Sequence, residues 1–325
     1  MTPAIAQIGC GMWGRNIARK LDALGLLAGV ADKSVTAADE FAALFATKSM
    51  TVAEVIADTA IDAVAIVTAA PSHAEIAIAA LDAGKSVFVE KPLALNLDEA
   101  EAMAAAARRN DRVLMVGHLI RHHPVFAHML KMVDAGEIGS LRHIRASRLA
   151  PGRVRDTESV LFDLCPHDLA LIAALTKQAE PVRVQCQGLS HITPGIEDSV
   201  TAQLDFNGGM TATIQANWMN PVKIHNLTLI GSDAALVFDD TRPWAEKLVR
   251  FPFTSRHDDN GPMLDRGDPE AISVTEGEPL KSEMQRFADA VSSGADPLSG
   301  IDEALYVQRI MTRMQHALDQ GKASS

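Results

Sequence analysis

Residues Ala4-Ile-Ala-Gln-Ile-Gly-Cys-Gly-Met-Trp-Gly14 constrain this chain more than any other segment. A short apolar run leads straight into Gly9-x-Gly11-x-x-Gly14, and an amphipathic segment from Arg15 to Leu24 comes next. Strand, glycine turn and helix in that order give each glycine a task. Gly9 permits the tight turn, Gly11 lets the backbone approach a pyrophosphate, and Gly14 lets helix and strand pack closely. The N–H groups near Met12 and Trp13, backed by the partial positive charge of the helix N-terminus, are then available to phosphates. Taken alone the motif is short, and it gains meaning only from the strand and acidic residue downstream of it.

The run Leu26-Leu-Ala-Gly-Val-Ala-Asp32 is a second apolar strand ending in a carboxylate, 18 residues after Gly14 (32 − 14). That is close to the spacing at which an acidic residue holds the adenosine ribose of a dinucleotide. An acid there repels a 2′-phosphate, so NAD is expected over NADP, although Lys33 and Ser34 could each accept a phosphate. The alternative is that Asp32 caps a helix beginning near Thr36.

Length sets the next bound: 325 residues exceed a typical single core, so two domains are expected. With 47% apolar and 22% charged residues the composition is that of a soluble globular protein. No run approaches the roughly 20 apolar residues of a membrane span, and the first residues enter a strand without a signal-peptide layout. Cys10, Cys165 and Cys186 are widely spaced and odd in number, which suggests a reducing compartment such as the cytoplasm and no disulfide framework. No Cys/His spacing resembles a zinc site, so no metal is expected. A net charge of −11 argues against general nucleic-acid binding while leaving room for a local basic pocket.

Strands are expected at Ala4–Ile8, Leu27–Ala31, Ala63–Thr68, Ser86–Val89 and Val113–Val116, with helices between them. Their apolar runs lack polar alternation, as in parallel strands covered on both faces. Asn96-x-x-Glu99 resembles a capping box ahead of an alanine-rich helix to about Arg109. The rhythm changes near Arg121. A helix over Pro124–Ala135, a strand over Leu141–Leu149, a loop over Ala150–Glu158 and a helix near Asp163–Leu175 are followed by strands at Val182–Gln187, Ser199–Phe206, Met210–Trp218, Ile224–Ile230 and Ala235–Phe238. Asn207-Gly208-Gly209 and Gly231-Ser-Asp233 read as hairpin turns. Thr254–Gly277 reads as a long polar loop, and helices at Lys281–Ser292 and Ile301–Gln320 are expected to return to the first domain. The expected fold class is α/β. A Rossmann domain with a doubly wound parallel sheet spans residues 1–120, and an α+β domain with a large, mostly antiparallel open sheet spans 121–325.

Val87-Phe-Val-Glu90-Lys91-Pro92 stands at the C-terminal end of the fourth strand, the edge of an open parallel sheet that faces ligands. Lysine is unusual there, because an ammonium buried without a partner is costly. An X-Pro bond can be cis, which would turn the side chain sharply. Lys91 is therefore either catalytic or a solvated residue at a strand end.

Together the glycine turn, Asp32, Thr68-Ala-Ala-Pro71-Ser-His73, Glu90-Lys91-Pro92 and the α/β-then-antiparallel order resemble the glucose–fructose oxidoreductase / inositol dehydrogenase (Gfo/Idh/MocA) family over essentially the whole chain. The resemblance implies an NAD(P)-dependent dehydrogenase of sugars, cyclitols or nucleotide sugars. It also implies a homodimer or homotetramer built through the antiparallel sheet, and adds Thr68, His73, Glu90 and Lys91 to the cofactor-binding residues. In that family a second-domain helix carries a His with an Asp four residues earlier, which here matches Asp163-Leu-Cys-Pro-His167. Pro166 fits the first turn of a helix, so the helix is expected to start near Asp163, with its dipole keeping the His167 ring available as a base. The alternative is a capping Asp and a structural His.

This chain departs from the commoner family pattern in having Val160-Leu-Phe before Asp163 and Pro166 after it, with Arg153-Val-Arg155 upstream. In those features it looks more like the UDP-N-acetylglucosamine 3-dehydrogenases. Two guanidiniums suit a diphosphate, so Arg153 and Arg155 are candidate substrate ligands unless the loop is merely solvated. Arg121, in Arg121-His122-His123, is a further candidate for the substrate pocket. The implied roles are Lys91 as hydrogen-bond donor to the reacting oxygen, His167 as general base and Asp163 as its orienter, at C3 of the sugar. Three other readings stay open: a dehydrogenase of a free sugar or cyclitol, an aldehyde dehydrogenase using Cys165 as a thiolate, and a non-catalytic NAD-binding scaffold.

Overall fold

The computed structural model describes residues 2–152, 154–156, 158–258 and 261–323. Its first half alternates β1 (Ile5–Ile8), α1 (Met12–Ala23), β2 (Leu27–Ala31), α2 (Val35–Phe45), β3 (Ser49–Met50), α3 (Val52–Ala57), β4 (Ala63–Ile66), α4 (His73–Asp82), β5 (Ser86–Val89), α5 (Leu97–Arg109) and β6 (Leu114–Val116). Then come α6 (Pro124–Asp134), β7 (His143–Pro151) and α7 (Val160–Leu175). The later strands are β8 (Arg183–Leu189), β9 (Ser199–Asp205), β10 (Thr211–Asn217), β11 (Met219–Ile230), β12 (Ala234–Asp239), β13 (Leu248–Asp258), β14 (Gly261–Arg266) and β15 (Glu270–Ala271). Helices α8 (Pro279–Ser293) and α9 (Ile301–Ala323) complete the order. The chain divides into two compact units, Met1–His122 with Glu278–Gln308, and His123–Gly277 with Arg309–Ser325.

In the first unit six parallel strands run in the order β3-β2-β1-β4-β5-β6, the doubly wound arrangement. Strands β1, β4 and β5 are buried along their whole length, and alternate residues serve the two faces. Ile5, Ala63, Ala65, Phe88 and Met115 pack with Ile17 and Leu21 of α1 and Met284 and Phe287 of α8. The intervening Ala6, Ile8, Val64, Ile66, Val87 and Val89 pack with Ala77 and Leu81 of α4 and Met103 and Ala107 of α5. Hence these strands show no polar alternation: neither face meets water. The edge strand β3 was not expected from the sequence, whereas α2 and α3 fall among the helices expected between the strands. Two residues of strand carry almost no pattern, although Thr51 and Glu54 form a capping box at the start of α3. At α5 the cap differs from expectation: Asn96 accepts from the Glu99 N–H at 2.9 Å, but the Glu99 carboxylate accepts from Leu95 N–H rather than closing on Asn96.

The second unit holds a sheet in the order β14-β13-β12-β11-β7-β10-β9-β8, with β15 beside β13. Only β7–β10 among these pairs is parallel. Val200, Ala202 and Leu204 of β9 and Ala212, Ile214 and Ala216 of β10 are buried, alternating with more exposed polar residues. Helix α7 packs against β7, β9 and β10 and is buried on nearly all sides. The long loop expected over Thr254–Gly277 is corrected: β13 continues to Asp258 and pairs with β14, and β15 adds to it. The β13–β14 ribbon is largely exposed, and its apolar residues, such as the adjacent Met263 and Leu264, do not alternate with polar ones, so no pattern announces it.

Candidate active site

The glycine turn is built by close approach. Gly9 has φ +111°, and a Cβ on it would lie 2.5 Å from the Val67 carbonyl. A Cβ on Gly14 would lie 2.5 Å from the Gly9 carbonyl and 2.8 Å from Gln7 Nε2. That buried amide ties the turn together, donating to the Gly9 carbonyl at 2.8 Å and the Gly14 carbonyl at 3.0 Å. A Cβ on Gly11 would meet no protein atom within 4 Å, so packing within the protein does not explain this glycine. Gly11 is the N-cap of α1, which has no side-chain cap and no acidic residue in its first turn. Unclaimed N–H groups at a helix N-terminus and a Cβ-free approach fit the pyrophosphate of a dinucleotide. Met12 is 79% exposed beside them.

Asp32 stands at the end of β2 against this turn. Its Oδ2 accepts from Cys10 N–H at 2.8 Å and its Oδ1 from Ser34 N–H at 2.9 Å. The cap of α2 is Ser34, whose hydroxyl accepts from Ala37 N–H at 3.3 Å, so the capping role weighed for Asp32 belongs to its neighbour. Lys33 is exposed. Burial, then the charge of Asp32, pushes the Cys10 thiol up to about 12.

Glu90 and Lys91 come directly after β5. The Glu90 carboxylate is buried, accepts from Trp13 Nε1 at 2.6 Å and from Lys91 N–H at 3.2 Å, and lies 3.0 Å from where a Cβ on Gly117 would stand. Burial pushes this carboxyl up, opposed by the Trp13 bond and the Lys91 charge. The Lys91–Pro92 peptide is cis. His73 Nδ1 lies 2.9 Å from the Pro92 carbonyl and Nε2 3.1 Å from the Thr68 carbonyl, so one ring joins the loops after β4 and β5. The Thr68 hydroxyl accepts from Ser72 at 2.8 Å. The first unit thus gathers Gly9, Gly11, Met12, Trp13, Gly14, Asp32, Thr68, His73, Glu90 and Lys91 around the C-terminal ends of β1, β2, β4 and β5, the ligand-binding edge of such sheets. Arg121 belongs to the same unit but is buried, with Nε 3.0 Å from Glu303.

Asp163, His167 and Arg155 belong to the second unit. Helix α7 starts at Val160 with Ser159 as N-cap, a turn earlier than expected, which corrects the placement of Pro166. Val160 and Leu161 are fully buried, and their burial carries the helix back past Asp163. Pro166 lies inside the helix, where its missing N–H forgoes one hydrogen bond. His167 is therefore beyond the first turn, where the macrodipole has faded, and the dipole argument for its basicity lapses. The i, i+4 spacing still puts Asp163 and His167 on one helical face.

Asp163 is held from two sides. Trp218 Nε1 donates to Oδ2 at 3.1 Å and Arg155 Nη2 to Oδ1 at 2.9 Å, while Arg155 Nη1 also pairs with Glu158 at 2.7 Å. Arg153 lies outside the described residues. One residue beyond His167, buried Asp168 pairs with Arg148 at 3.0 Å. Cys165 is fully buried, and burial pushes its thiol well above the ordinary range, so it is not a thiolate nucleophile. Sequence reasoning overlooked Trp218 and Arg148, because a tryptophan at a strand end and an arginine within a strand carry no motif.

Comparison with known proteins agrees with this division. The family described as GFO_IDH_MocA, "Oxidoreductase family, NAD-binding Rossmann fold", matches residues 4–118, and the "GFO/IDH/MocA C-terminal domain" matches 126–237. The chain is 37% identical over 212 residues to UDP-N-acetylglucosamine 3-dehydrogenase of Acidithiobacillus ferrooxidans, covering 65% of each protein's length. It is 27% identical over 257 residues to scyllo-inositol 2-dehydrogenase (NAD(+)) of Bacillus subtilis, covering 75% of this chain and 72% of that one. The solved structure of the Acidithiobacillus ferrooxidans enzyme superposes with a TM-score of 0.85 and 28% identity, over 98% of this chain and 97% of the other.

Proposed function

Because this chain belongs to the Gfo/Idh/MocA oxidoreductase family, we propose that it oxidises a secondary hydroxyl of a sugar with NAD, most favourably C3 of a nucleotide sugar such as UDP-N-acetylglucosamine. The observation that carries the reading is Lys91 at the end of β5, next to a Glu90 that Trp13 of the glycine turn holds at 2.6 Å. NAD, when bound, supplies the hydride acceptor. Lys91 donates a hydrogen bond to the reacting oxygen and stabilises charge developing there. His167 takes the hydroxyl proton, and Asp163, fixed by Trp218 and Arg155, orients the ring and the hydroxyl. Asp32 beside the turn supports NAD over NADP. Arg153 is assigned to the diphosphate of the substrate, whereas Arg155, expected there too, has its terminal nitrogens on Glu158 and Asp163 and is assigned to holding Asp163.

The nucleotide-sugar assignment is supported by the 37% identity to UDP-N-acetylglucosamine 3-dehydrogenase. An NADH-formation assay across UDP-N-acetylglucosamine, myo-inositol and glucose tests it. Activity confined to free polyols would replace the nucleotide sugar with a cyclitol or free sugar and leave the dehydrogenase chemistry standing. Exposed Val182, Leu189, Met219, Val222, Ile230 and Phe251 on the second unit support a homodimer or homotetramer formed through its sheet. No described helix is long and apolar enough to cross a membrane, and the three cysteines are free, which supports a cytoplasmic site of action.

A further inference from the structure

Helix α8 buries a carboxyl group that the reaction proposed above does not use. Glu283 is fully buried, and among the described residues neither of its oxygens has a hydrogen-bond partner. Its neighbours on the same helix, Met284 and Phe287, pack into the apolar layer under the parallel sheet. The His122 ring stands against it, with Nε2 3.8 Å from Oε1. Phe287, one turn along α8 from Glu283, packs on Phe88, two residues before Glu90, with ring centroids 5.8 Å apart, and this packing brings α8 to the end of β5 where the Glu90 charge acts on Glu283.

His122 brings Glu283 no positive charge. The ring is buried, neither nitrogen has a hydrogen-bond partner, and burial with the Arg286, Arg121 and His118 charges holds it down to about 3. Glu303, which pulls the other way, is engaged by Arg121 at 3.0 Å and His118 at 3.7 Å.

The two carboxyls are held differently. Glu90 accepts from Trp13 Nε1 at 2.6 Å and Lys91 N–H at 3.2 Å, and it has the Lys91 charge beside it. Glu283 has no hydrogen-bond donor among the described residues. Burial pushes both groups up, but only Glu90 has bonds and a cation opposing that push, while the Glu90 charge drives Glu283 further. Two neighbouring buried carboxyls do not both ionise, and the proton settles on the one without donors.

We propose that Glu283 is a positioning residue: it keeps the single proton of a Glu90–Glu283 pair, so that one negative charge, on Glu90, stands beside Lys91 and fixes the lysine for the substrate hydroxyl. The positioning role rests on the reading of Lys91 given above; the charge state of the pair does not.

Infrared spectra of the full chain at pH 7, wild type minus Glu283→Gln, test the charge state directly. The expected difference is the carbonyl band of a protonated carboxyl, and Glu90→Gln should lower the pH at which that band disappears. A difference spectrum without the band, or a midpoint unmoved by Glu90→Gln, overturns the pairing. Turnover reads the positioning role. Wild type should lose kcat at alkaline pH as a second negative charge forms, and Glu283→Gln, which cannot ionise, should shift that loss to higher pH. An unshifted alkaline limb overturns the positioning role. A protein that binds NAD but oxidises no sugar would refute the dehydrogenase reading, and the infrared result would still decide the pairing.

Discussion

The indole Nε1 of Trp13 donates to Oε1 of Glu90 at 2.6 Å, joining the first turn of α1 to the residue before Lys91. One contact therefore couples the turn assigned to the cofactor with the lysine assigned to the chemistry. Trp13→Phe keeps an aromatic ring and removes the donor. A buried acceptor that loses its partner costs about 1–3 kcal/mol. The expected outcome is a lower thermal midpoint together with weaker NAD binding, read by calorimetry on the same samples. Unchanged values for both would mean that the bond couples nothing.

Gly11 and Gly14 separate cofactor binding from folding. A Cβ at Gly14 meets the Gly9 carbonyl at 2.5 Å, so Gly14→Ala must push α1 away from β1 and lower stability. A Cβ at Gly11 meets no protein atom within 4 Å, so Gly11→Ala should fold as wild type and melt at the same temperature. If the pyrophosphate sits against that backbone, NAD affinity should fall at least about tenfold, or about 1.4 kcal/mol. Equal NAD affinity in Gly11→Ala and wild type would move the pyrophosphate elsewhere.

Lys91→Ala removes the hydrogen-bond donor assigned to the reacting oxygen, worth about 10²–10³-fold, and His167→Ala removes the base assigned to its proton. Positioned proton transfer contributes about 10²–10⁴-fold, so each variant should lose at least about a hundredfold in kcat while still binding NAD. NADH formation under saturating substrate, with NAD binding measured separately, checks this. A variant that turns over at near the wild-type rate would lose its assigned role.

Cys165→Ala should leave turnover intact. The thiol is fully buried and held in its protonated form, which suits a small apolar filler on α7 rather than a nucleophile. Turnover abolished in a variant that still folds and binds NAD would revive the aldehyde-oxidising chemistry.

What the sequence showed well was what repeats or packs. The fully buried runs of β1, β4 and β5 and the glycines of the turn leave little freedom, because parallel strands covered on both faces, and turn positions where a Cβ would lie 2.5 Å from a carbonyl oxygen, admit few alternatives. Lys91 was legible because it stands just past the buried run of β5, and Asp32 because it ends the apolar run of β2. Strand β14 was not, since an exposed ribbon lacks an apolar face to alternate. The start of α7 was hidden, because a proline marks the first turn of a helix in sequence while the burial that draws Val160 and Leu161 into it is a tertiary effect. Trp218 and Glu283 were invisible for a different reason. Each acts through a neighbour distant in sequence, Asp163 and Glu90 respectively, and no local spacing encodes such a pair.

Buried His122 and half-buried His225 give the stability of this protein a definite pH direction. Burial chiefly, with Arg148 and Lys223 nearby, lowers His225 from 6.5 to about 4, and burial with Arg286 lowers His122 from 6.5 to about 3. Below pH 6.5 the unfolded imidazoles take up protons that the folded ones refuse. Their contribution is therefore complete above 6.5 and is lost as pH falls toward about 4 for His225 and about 3 for His122. Each pH unit through that window removes at most about 1.4 kcal/mol for buried His122, and less for half-buried His225, whose charge solvent screens. The raised carboxyls of Glu283 and Asp168 act in the opposite sense, losing stability as pH rises, so the comparison must be between variants. His225→Gln and His122→Asn should each flatten the dependence of the thermal midpoint on pH between 4 and 6.5, because neither side chain can take up the proton. A wild-type midpoint and variant midpoints that run parallel across that range would mean that these rings ionise normally in the folded protein.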